Sequence, residues 1–390
     1  MELAELNELL KLASVSRASD IHLKAGLPPM FRVDGALRPL KEGKRFTPES
    51  IAKVGMAIMN PLQRERFKEM CETDLAYGVP GIGRFRVNVF QQRSSVGIVF
   101  RVIPFKIATL DELVLPKVIE KIAMEPRGLV LVTGTTGSGK STTLASMIDY
   151  INARRTAHIL TIEDPIEYLI RDKRSVINQR EIGVDTRSFA DALRAALRQD
   201  PDVILVGEMR DLETIETAMT AAETGHLVVS TVHTLDATET VNRIVTVFPP
   251  HQQKQIRLQL ASVLRGVISQ RLIPRIDGKG RVPACEIMVS NSRIRDLIEH
   301  EERTKEIHGA IQQGFVSYGM QTFDQSLLSL CKQNRITYEE ALRQCTNPDD
   351  FALRMKGVSS TSDTSWDDFE KKDENEHASS NKDDMKIERF

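Results

Sequence analysis

The sequence predicts an α/β fold built on a largely parallel sheet. Between about residue 110 and residue 355, short apolar runs alternate with long helical stretches, which is the pattern of consecutive strand–helix units. The strand candidates are GLVLVT, HILTIE, DVILVGE and HLVVSTVH. A glycine-rich segment, GTTGSGKSTT, follows the first of them and leads into a helical stretch. This context indicates a loop that holds phosphate groups.

A smaller mixed domain of helix and antiparallel strands is predicted for residues 1–105. Apolar residues in LNELLKLASVS recur at helical spacing, and MFRVDGALRPL carries an Asp-Gly turn between two short apolar runs. The stretch GRFRVNVFQQRSSVGIVFRVI alternates apolar and polar residues, as half-buried antiparallel strands do. We expect a linker at residues 106–110 and a second domain over residues 111–356.

The segment from His251 to Arg275 is predicted to be one long helix that packs against the core. Its apolar residues fall at helical spacing. They are Ile256, Leu260, Val263, Leu264, Val267 and Ile268.

Composition and charge exclude several classes of protein. The chain has 390 residues, with 53 basic and 54 acidic side chains and a net charge of -1, so no bulk charge attracts it to nucleic acid or to anionic lipid. The four cysteines are scattered without a C-x-x-C pair, which argues against a zinc or redox motif. No signal peptide and no apolar run of membrane-spanning length is predicted. We therefore expect a cytoplasmic protein without a membrane span.

Residues 357–390 are predicted to be an acidic disordered tail. The composition changes after Gly357, where acidic, serine and asparagine residues replace most aliphatic ones. Such a segment cannot bury enough apolar surface to offset the entropy lost on ordering.

The glycine-rich segment fits the pattern G-x-x-x-x-G-K-[ST]. Its glycines allow a tight turn in which backbone N–H groups point at phosphate oxygens, and a lysine adds positive charge at the β- and γ-phosphates. The Ser141 hydroxyl is placed to ligate Mg²⁺. We therefore predict a nucleoside triphosphate as the ligand, held by Gly134, Thr135, Thr136, Gly137, Ser138, Gly139, Lys140, Ser141 and Thr142.

Two carboxylates at predicted strand ends are candidates for catalysis. Glu208 ends DVILVGE and follows Gly207, where a simple Walker B strand would carry aspartate. Because the carboxyl ends of parallel strands meet at one edge of a sheet, Glu208 can reach Mg²⁺ through water molecules. Glu163 ends HILTIE, before Asp164 and Pro165, and is the candidate general base or water-positioning residue. A solvated acidic strand end is the alternative for each.

Two histidines bracket the last strand candidate. His226 and His233 lie seven residues apart in GHLVVSTVHT. We predict His226 as a nucleotide-binding residue and His233 as a catalytic one, because a histidine at a strand end could sense the γ-phosphate or pass that signal to a neighbouring subunit. A hydrogen-bonded histidine at the rim of a sheet explains the spacing equally well.

Four segments together resemble one family. In order, GTTGSGKST, TIEDPIEY, RQDPDVILVGEMRD and TGHLVVSTVHT are similar to the Walker A, Asp box, Walker B and His box of the secretion ATPases that drive type IV pili and type II secretion. The resemblance implies a RecA-like P-loop ATPase domain preceded by a small PAS-like α+β domain. It also implies ATP hydrolysis by a homohexameric ring, with each nucleotide between the two domains of one subunit.

Within this family, the chain looks most like the pilus retraction ATPases. It reaches SDIHLKAGLPPMFRVDGALRPL almost at once, it lacks a four-cysteine insertion, and GMQTFDQSLLSL resembles the carboxy-terminal helix of retraction motors. The resemblance implies a cytoplasmic motor at the inner-membrane base of the pilus machine, acting on a membrane platform protein, with a paralogous retraction ATPase as a further partner. An assembly or type II secretion ATPase is the alternative within the family.

One segment departs from the retraction motors. Their AIRNLI stretch corresponds here to RIRDLI, in which Ile294, Leu297 and Ile298 are kept, whereas Arg293 and Asp296 replace alanine and asparagine. The departure leaves three readings open: a primary retraction motor, its accessory paralogue or a divergent copy.

Arginines of the antiparallel stretch are candidates for transition-state stabilisation. Arg84, Arg86, Arg93 and Arg101 lie there, and the resemblance assigns the functional role to Arg86 and Arg101. Solvent-facing strand arginines are the alternative. Arg210 is a further candidate, for coupling.

Two other classes remain as rivals. A nucleic-acid translocase would be a related ring ATPase, but the near-zero net charge and the lack of a basic, aromatic strip argue against it. A regulator that only binds nucleotide is disfavoured by the presence of Lys140, Glu163 and Glu208 together.

Overall fold

The computed structural model describes residues 2–16, 18–33, 35–40, 43–103 and 106–356. The chain divides into two compact units. The first comprises Met1–Ile107 and Pro165–Ile170, and the second comprises Ala108–Asp164 and the chain from Arg171 onward. Residues 165–170, which the sequence predicts in the second domain, group with the first unit in the structure. The predicted tail, residues 357–390, lies outside the described residues.

In the part of the chain that the structure describes, the first unit contains a six-stranded antiparallel sheet and three helices. Its strands follow the order β3-β2-β1-β6-β5-β4. The elements are α1 (Leu3–Val15), β1 (Asp20–Lys24), β2 (Met30–Val33), β3 (Ala36–Pro39), α2 (Pro48–Ile58), α3 (Pro61–Met70), β4 (Glu72–Val79), β5 (Gly83–Gln92) and β6 (Ser95–Ile103). The predicted hairpin, β2–β3, and the predicted antiparallel strands, β5 and β6, are confirmed.

Turn chemistry and an aromatic pair fix the register of this sheet. Arg93 and Ser94, at the tip of the β5–β6 hairpin, have φ values of 43° and 58°, as a tight two-residue turn requires. Phe85 and Phe100 are fully buried and pack edge to face with ring centroids 6.4 Å apart. Alternate residues of β5 and β6 therefore face a closed core.

The second unit is a seven-stranded sheet in the order β13-β12-β7-β11-β10-β8-β9. All neighbours pair in parallel except β12 and β13, which are antiparallel. The largely parallel α/β sheet predicted from the sequence is thus confirmed. Its strands are β7 (Gly128–Thr133), β8 (His158–Glu163), β9 (Val176–Glu181), β10 (Val203–Val206), β11 (Leu227–Val232), β12 (Leu264–Pro274) and β13 (Arg281–Val289).

Helices pack against this sheet. Every residue of β7, β10 and β11 is buried, because parallel strands are covered on both faces. The helices are α4 (Val118–Ala123), α5 (Lys140–Arg154), α6 (Phe189–Ala196), α7 (Leu212–Glu223), α8 (Ala237–Thr246), α9 (Pro250–Val263), α10 (Ser292–Glu299), α11 (Ile307–Gln313), α12 (Phe315–Tyr318), α13 (Phe323–Lys332), α14 (Tyr338–Gln344) and α15 (Pro348–Met355), with a 3₁₀ helix at Glu301–Glu306.

The predicted long helix from residue 251 to residue 275 is wrong beyond Val263. Helix α9 ends there, Leu264 takes an extended backbone with ψ of 130°, and the chain continues as β12. Strand β12 is nearly continuously buried and pairs with β7 on one side and β13 on the other. A buried strand of this kind cannot be distinguished from a buried helix by apolar spacing alone.

The outer edge of β13 is closed by the chain that follows it. Ile287 exchanges backbone hydrogen bonds with Gln321, over 2.7 and 3.2 Å. The Gln321 side-chain amide donates to the Cys285 carbonyl, and the Cys285 N–H donates to the Ser326 hydroxyl. The outward backbone groups of Cys285 and Ile287 thus have partners within the same chain.

Among the residues that the structure describes, every helix falls short of the length and hydrophobicity that a membrane-crossing helix requires.

Candidate active site

The phosphate loop lies between β7 and α5, in the second unit. Gly134, Gly137 and Gly139 have φ values of 139°, 79° and 97°, a region that side-chain-bearing residues rarely occupy. A Cβ atom on Gly134 would lie 2.5 Å from the Gln270 carbonyl oxygen and 2.5 Å from the Ser138 hydroxyl oxygen. The loop is therefore so tightly packed against β12 that only glycine fits at its first position.

Lys140 is held inside this loop. Its Nζ donates to the Gly134 and Thr135 carbonyl oxygens, over 2.8 and 2.9 Å, and the residue is only 8% exposed. Burial lowers the pKa of Lys140, and the negative charge of Glu208 partly opposes that shift. Ser141 follows at the exposed start of α5. Lys140 and Ser141 thus stand where a lysine and a hydroxyl serve a bound triphosphate.

Glu208 lies two residues beyond the end of β10, with cationic and imidazole groups around it. Its Oε2 is 2.7 Å from Arg210 Nε and 3.6 Å from His233 Nε2. Burial, followed by the charges of Lys140 and Arg210, lowers the pKa of His233, and Glu208 acts in the opposite direction. Lys140, Glu208 and His233 therefore share one electrostatic environment at the carboxyl ends of β7, β10 and β11.

Gly207 has a steric reason to be glycine. Its N–H donates to the Ile162 carbonyl oxygen at 2.8 Å, and an added Cβ would come within 3.2 Å of that oxygen. The backbone after β10 thus passes close to β8. This close approach brings Glu208 toward the strand end that carries Glu163.

Glu163, at the end of β8, is oriented by two neighbours. Its Oε1 accepts a hydrogen bond from the Thr161 hydroxyl at 2.6 Å and another from the Gln179 amide at 3.1 Å. Thr161 lies two residues earlier on the same face, and Gln179 is its cross-strand partner on β9. A carboxylate held in this way can take a fixed orientation toward an attacking water molecule.

The prediction that His226 binds the nucleotide is wrong for the loop of its own subunit. His226 precedes β11, whereas His233 follows it, and six strand residues place the two histidines on the order of 20 Å apart. The His226 ring Nδ1 lies 2.9 Å from the Ala221 carbonyl oxygen, at the carboxyl end of α7. His226 is therefore a rim histidine at the sheet edge opposite the phosphate loop, as the alternative reading of the spacing had it.

The candidate arginines lie in the first unit. Arg86 and Arg101 are directly opposite each other on β5 and β6, and both are exposed. The Arg101 Nε donates to Asp20 Oδ1 at 3.0 Å. Burial raises the pKa of Asp20, but hydrogen bonds from Ser19 and Arg101 together lower it by more. The net shift of the pKa is therefore downward. Among the other candidates, Arg84 is half-buried on β5 and Arg93 lies in the hairpin turn.

The oxygen ligands near the loop suit Mg²⁺. Within the described ranges, no group of three or more histidine, cysteine or acidic side chains is arranged to hold a metal ion. The Ser141 hydroxyl and the Glu208 carboxylate are hard oxygen donors, and Mg²⁺ is commonly held by one or two such groups together with substrate phosphates. The residues present therefore fit a magnesium ion that arrives with the nucleotide.

The RIRDLI segment forms most of α10. Its kept residues, Ile294, Leu297 and Ile298, are fully buried. Both replaced residues have partners in the chain. The Arg293 guanidinium donates to the Gln313 side chain at 2.5 Å, and Asp296 forms ion pairs with Arg303 and, at 3.4 Å, with His300 when that ring is protonated.

Several residues that shape the site were missed by the sequence analysis. Thr161 could have been found, because residues two apart on a strand share a face. Gln179 could not, because VINQRE lacks a strand pattern and pairs with β8 only in the fold. Gln270, whose amide donates to Thr143 of α5 at 2.9 Å, was hidden by the erroneous helix.

Comparison with known proteins places the chain in a family. The family model described as "Type II/IV secretion system protein" matches residues 3–305. The Pseudomonas aeruginosa protein named "Type IV pilus retractation ATPase PilT" is 50% identical over 351 residues, which are 89% of this chain and 100% of that protein. The P. aeruginosa "Type IV pilus ATPase PilU" is 42% identical over 354 residues, 90% of this chain and 91% of that protein.

A solved structure described as the pilus retraction motor PilT with bound ADP superposes on the chain with a TM-score of 0.81 at 50% identity. The match covers 88% of this chain and 97% of the other. The predicted fold and the predicted relationship are both confirmed. The chain therefore belongs to the type II/IV secretion system protein family.

Proposed function

We propose that the chain is an ATP-hydrolysing motor that drives retraction of a type IV pilus. The observation that carries the proposal is that Lys140, Glu163 and Glu208 follow β7, β8 and β10, at the carboxyl-terminal edge of the parallel part of one sheet. That edge is where α/β sheets bind ligands. The 50% identity with a protein named a pilus retraction ATPase supports the assignment of this chemistry to pilus retraction.

Nucleotide binding follows from the loop. The β- and γ-phosphates lie against the backbone N–H groups of residues 134–142, and Lys140 exchanges its two carbonyl partners for phosphate oxygens. Ser141 and Glu208 would hold Mg²⁺, which would supply positive charge near the phosphates.

Hydrolysis needs a group that orients water and accepts its proton. Glu163 has this role, because hydrogen bonds from Thr161 and Gln179 fix its carboxylate. His233 faces the same edge beside Glu208 and is neutral near pH 7, since its pKa lies below the usual value. A neutral imidazole can exchange hydrogen bonds with phosphate oxygens according to the occupancy of the site.

Arg86 and Arg101 supply the positive charge that stabilises the transition state, as part of a homohexameric ring. An arginine finger of this kind also reports occupancy to the next domain. Arg210, paired with Glu208, takes part in this coupling. ATP binding and hydrolysis alternate the conformations of the subunits, and the difference in contacts to the γ-phosphate supplies the free energy.

The ring works in the cytoplasm at the inner-membrane base of the pilus machine. There it moves a membrane platform protein and returns pilin subunits to the membrane. Among the described residues no membrane-crossing helix is found, which agrees with contact through a partner.

An accessory retraction motor is the second candidate. The 42% identity with a protein named PilU and the two replaced positions of the RIRDLI segment favour it. A primary motor hydrolyses ATP and supports retraction without a paralogue, whereas an accessory one depends on a paralogous ATPase.

Steady-state ATP hydrolysis against protein concentration, with the mass in solution measured in parallel, tests the proposal. We expect turnover that rises as the ring forms and disappears in Glu208→Gln. Glu216→Gln, an exposed acid on α7, is the matched control and should hydrolyse ATP at the wild-type rate. An assembled ring without turnover would favour the accessory reading.

The phenotype of cells that lack the gene distinguishes a retraction motor from an assembly motor. Loss of a retraction motor leaves excess, immobile pili, whereas loss of an assembly motor leaves none. Cells without pili would contradict the proposal. Hydrolysis that nucleic acid stimulates at physiological salt would instead revive the translocase reading.

A further inference from the structure

A buried polar row crosses the sheet just below the phosphate loop. Thr133 of β7, Ser269 of β12 and Glu286 of β13 are directly opposite one another, and Val232 of β11 continues the row. All three polar residues are 3% exposed or less. The Thr133 hydroxyl donates to the Ser269 hydroxyl oxygen at 2.8 Å. Two members of the row adjoin the site, since Thr133 precedes Gly134 and Val232 precedes His233.

Glu286 also forms a hydrogen bond with a residue outside the sheet, at the start of α8. Its Oε1 accepts a hydrogen bond from the Ala237 N–H, the first residue of α8, at 2.9 Å. The first N–H groups of a helix have no partner within the helix, so an outside acceptor stabilises them. A carboxylate also favours the positive end of the helix dipole. Glu286 thus ties the start of α8 to the sheet.

The segment between β11 and α8 is in turn bound to that helix. The Leu235 N–H donates to the Glu239 carboxylate at 2.7 Å, and Asp236 caps the helix by accepting from the Glu239 N–H at 2.7 Å. The hydroxyls of Thr234 and Thr240 lie 2.7 Å apart. These bonds attach residues 234–236 to α8. Because His233 immediately precedes them, a contact that fixes the start of α8 also restrains His233.

We propose that Glu286 is a positioning residue for ATP hydrolysis: by accepting the Ala237 N–H it holds His233 in place beside Glu208. The inference rests on the proposed hydrolytic function. It extends that function to a side chain on the far strand of the sheet, outside the four sequence motifs. Glu286 acts only through the β11–α8 segment and touches neither nucleotide nor water in the reaction.

The surroundings of Glu286 make its hydrogen bond with Ala237, the anchor of α8, depend on pH. Burial raises its pKa to about 7, and the Ala237 hydrogen bond acts in the opposite direction. Asp236 at the start of α8 and Asp324 on α13 raise the pKa further, whereas Arg271 on β12 lowers it. The carboxylate accepts the amide hydrogen bond more strongly than the neutral acid. Positioning therefore weakens as the pH falls through about 7.

Two variants distinguish the effect of the hydrogen bond between Glu286 and Ala237 from the effect of core packing. Glu286→Gln keeps an oxygen acceptor and removes the titration, whereas Glu286→Leu removes the acceptor. Met288→Ala, buried on the same face of β13 two residues along, is the matched control for a disturbed core. The kcat and the KM for ATP are measured from about pH 6 to about pH 9 for all three folded variants.

We expect Glu286→Leu to lower kcat about tenfold or more with KM changed less than about twofold, because only the arrangement of the reacting groups suffers. Glu286→Gln should retain most of the kcat and lose the inflection near pH 7. A Glu286→Leu protein with wild-type kcat would overturn the proposal, and so would an equal loss in Met288→Ala. If the pH profile of kcat keeps its inflection in Glu286→Gln, the titration belongs to another group, with His233 as the first candidate. Glu286 would then not cause the pH dependence.

Amide hydrogen exchange tests the anchor without hydrolysis. The segment of residues 233–240 should exchange about tenfold faster in Glu286→Leu than in wild type, and Glu286→Gln should stay near wild type. If the wild-type protein hydrolyses no ATP, the proposed function fails, while this measurement still decides whether Glu286 holds the segment. Unchanged exchange in Glu286→Leu would overturn the anchor itself.

Discussion

Replacement of Gly134 by alanine should damage both stability and nucleotide binding. The new Cβ would lie 2.5 Å from the Gln270 carbonyl oxygen and 2.5 Å from the Ser138 hydroxyl, on a backbone with φ of 139°. A strained backbone of this kind costs about 1–3 kcal/mol, and overpacking costs about 1–3 kcal/mol more. A loss of about 4 kcal/mol lies in the middle of that range and lowers Tm by about 8–16 °C for a domain of this size. The loop can relieve the contacts only by moving away from β12, which displaces the N–H groups that bind phosphate.

Gly128→Ala is the matched control, because it applies the same strain at the other end of β7. Its Cβ would lie 2.6 Å from the Val263 carbonyl oxygen, with φ of 118°. Gly183→Ala isolates the backbone cost, since Gly183 has φ of 79° and an added Cβ would meet nothing within 4 Å. We expect about 1–2 kcal/mol for that change.

Thermal unfolding followed by circular dichroism gives the stability, and titration with a fluorescent ATP analogue, below the Tm of every variant, gives the affinity. Gly134→Ala and Gly128→Ala should unfold at similarly lowered temperatures, but only Gly134→Ala should lose affinity, by about tenfold or more. Equal affinity losses in the two variants would refute the reasoning. A Gly134→Ala protein as stable as Gly183→Ala would refute the steric argument.

Three further predictions concern other parts of the chain. Gln179→Leu removes the amide that orients Glu163 and should lower kcat by about 5–20-fold with little change in ATP affinity, a result that steady-state kinetics would detect. Because the pKa of Asp20 is lowered, its contribution to the unfolding free energy is present at neutral pH and is lost as the pH falls through that lowered pKa, so Asp20→Asn should flatten the acid side of the stability profile in urea titrations. Burial raises the pKa of Cys285 to about 12, so Ellman's reagent should react at once with the exposed Cys71 and reach Cys285 only on unfolding.

The phosphate loop and the strands around it could be predicted from sequence because their signals are local. The glycines at positions 134 and 139, the lysine at position 140 and the flanking apolar runs all act within ten residues of one another. Glu163 and Glu208 could be predicted because a carboxylate after an apolar strand reaches the same sheet edge whatever the strand order.

What could not be predicted depends on pairing between distant residues. Strand β12 was taken for helix because Leu264, Val267 and Ile268 also fit helical spacing, and only the pairing with β7 and β13 decides for strand. His226 was assigned to the nucleotide although a strand candidate separates it from His233, and in the fold that strand places the two histidines at its opposite ends. Glu286 gave no signal at all, since its partner Ala237 is 49 residues away in the chain.

The closed edge of β13 also limits how copies of the chain can meet. Along that edge, Cys285 and Ile287 have their backbone groups occupied by Ser326 and Gln321, and Pro283, at the next outward position, has no N–H to offer. An open strand edge is a template on which other chains add strands and aggregate. Strand addition between copies of this chain would therefore need an edge other than the Pro283–Ile287 stretch of β13.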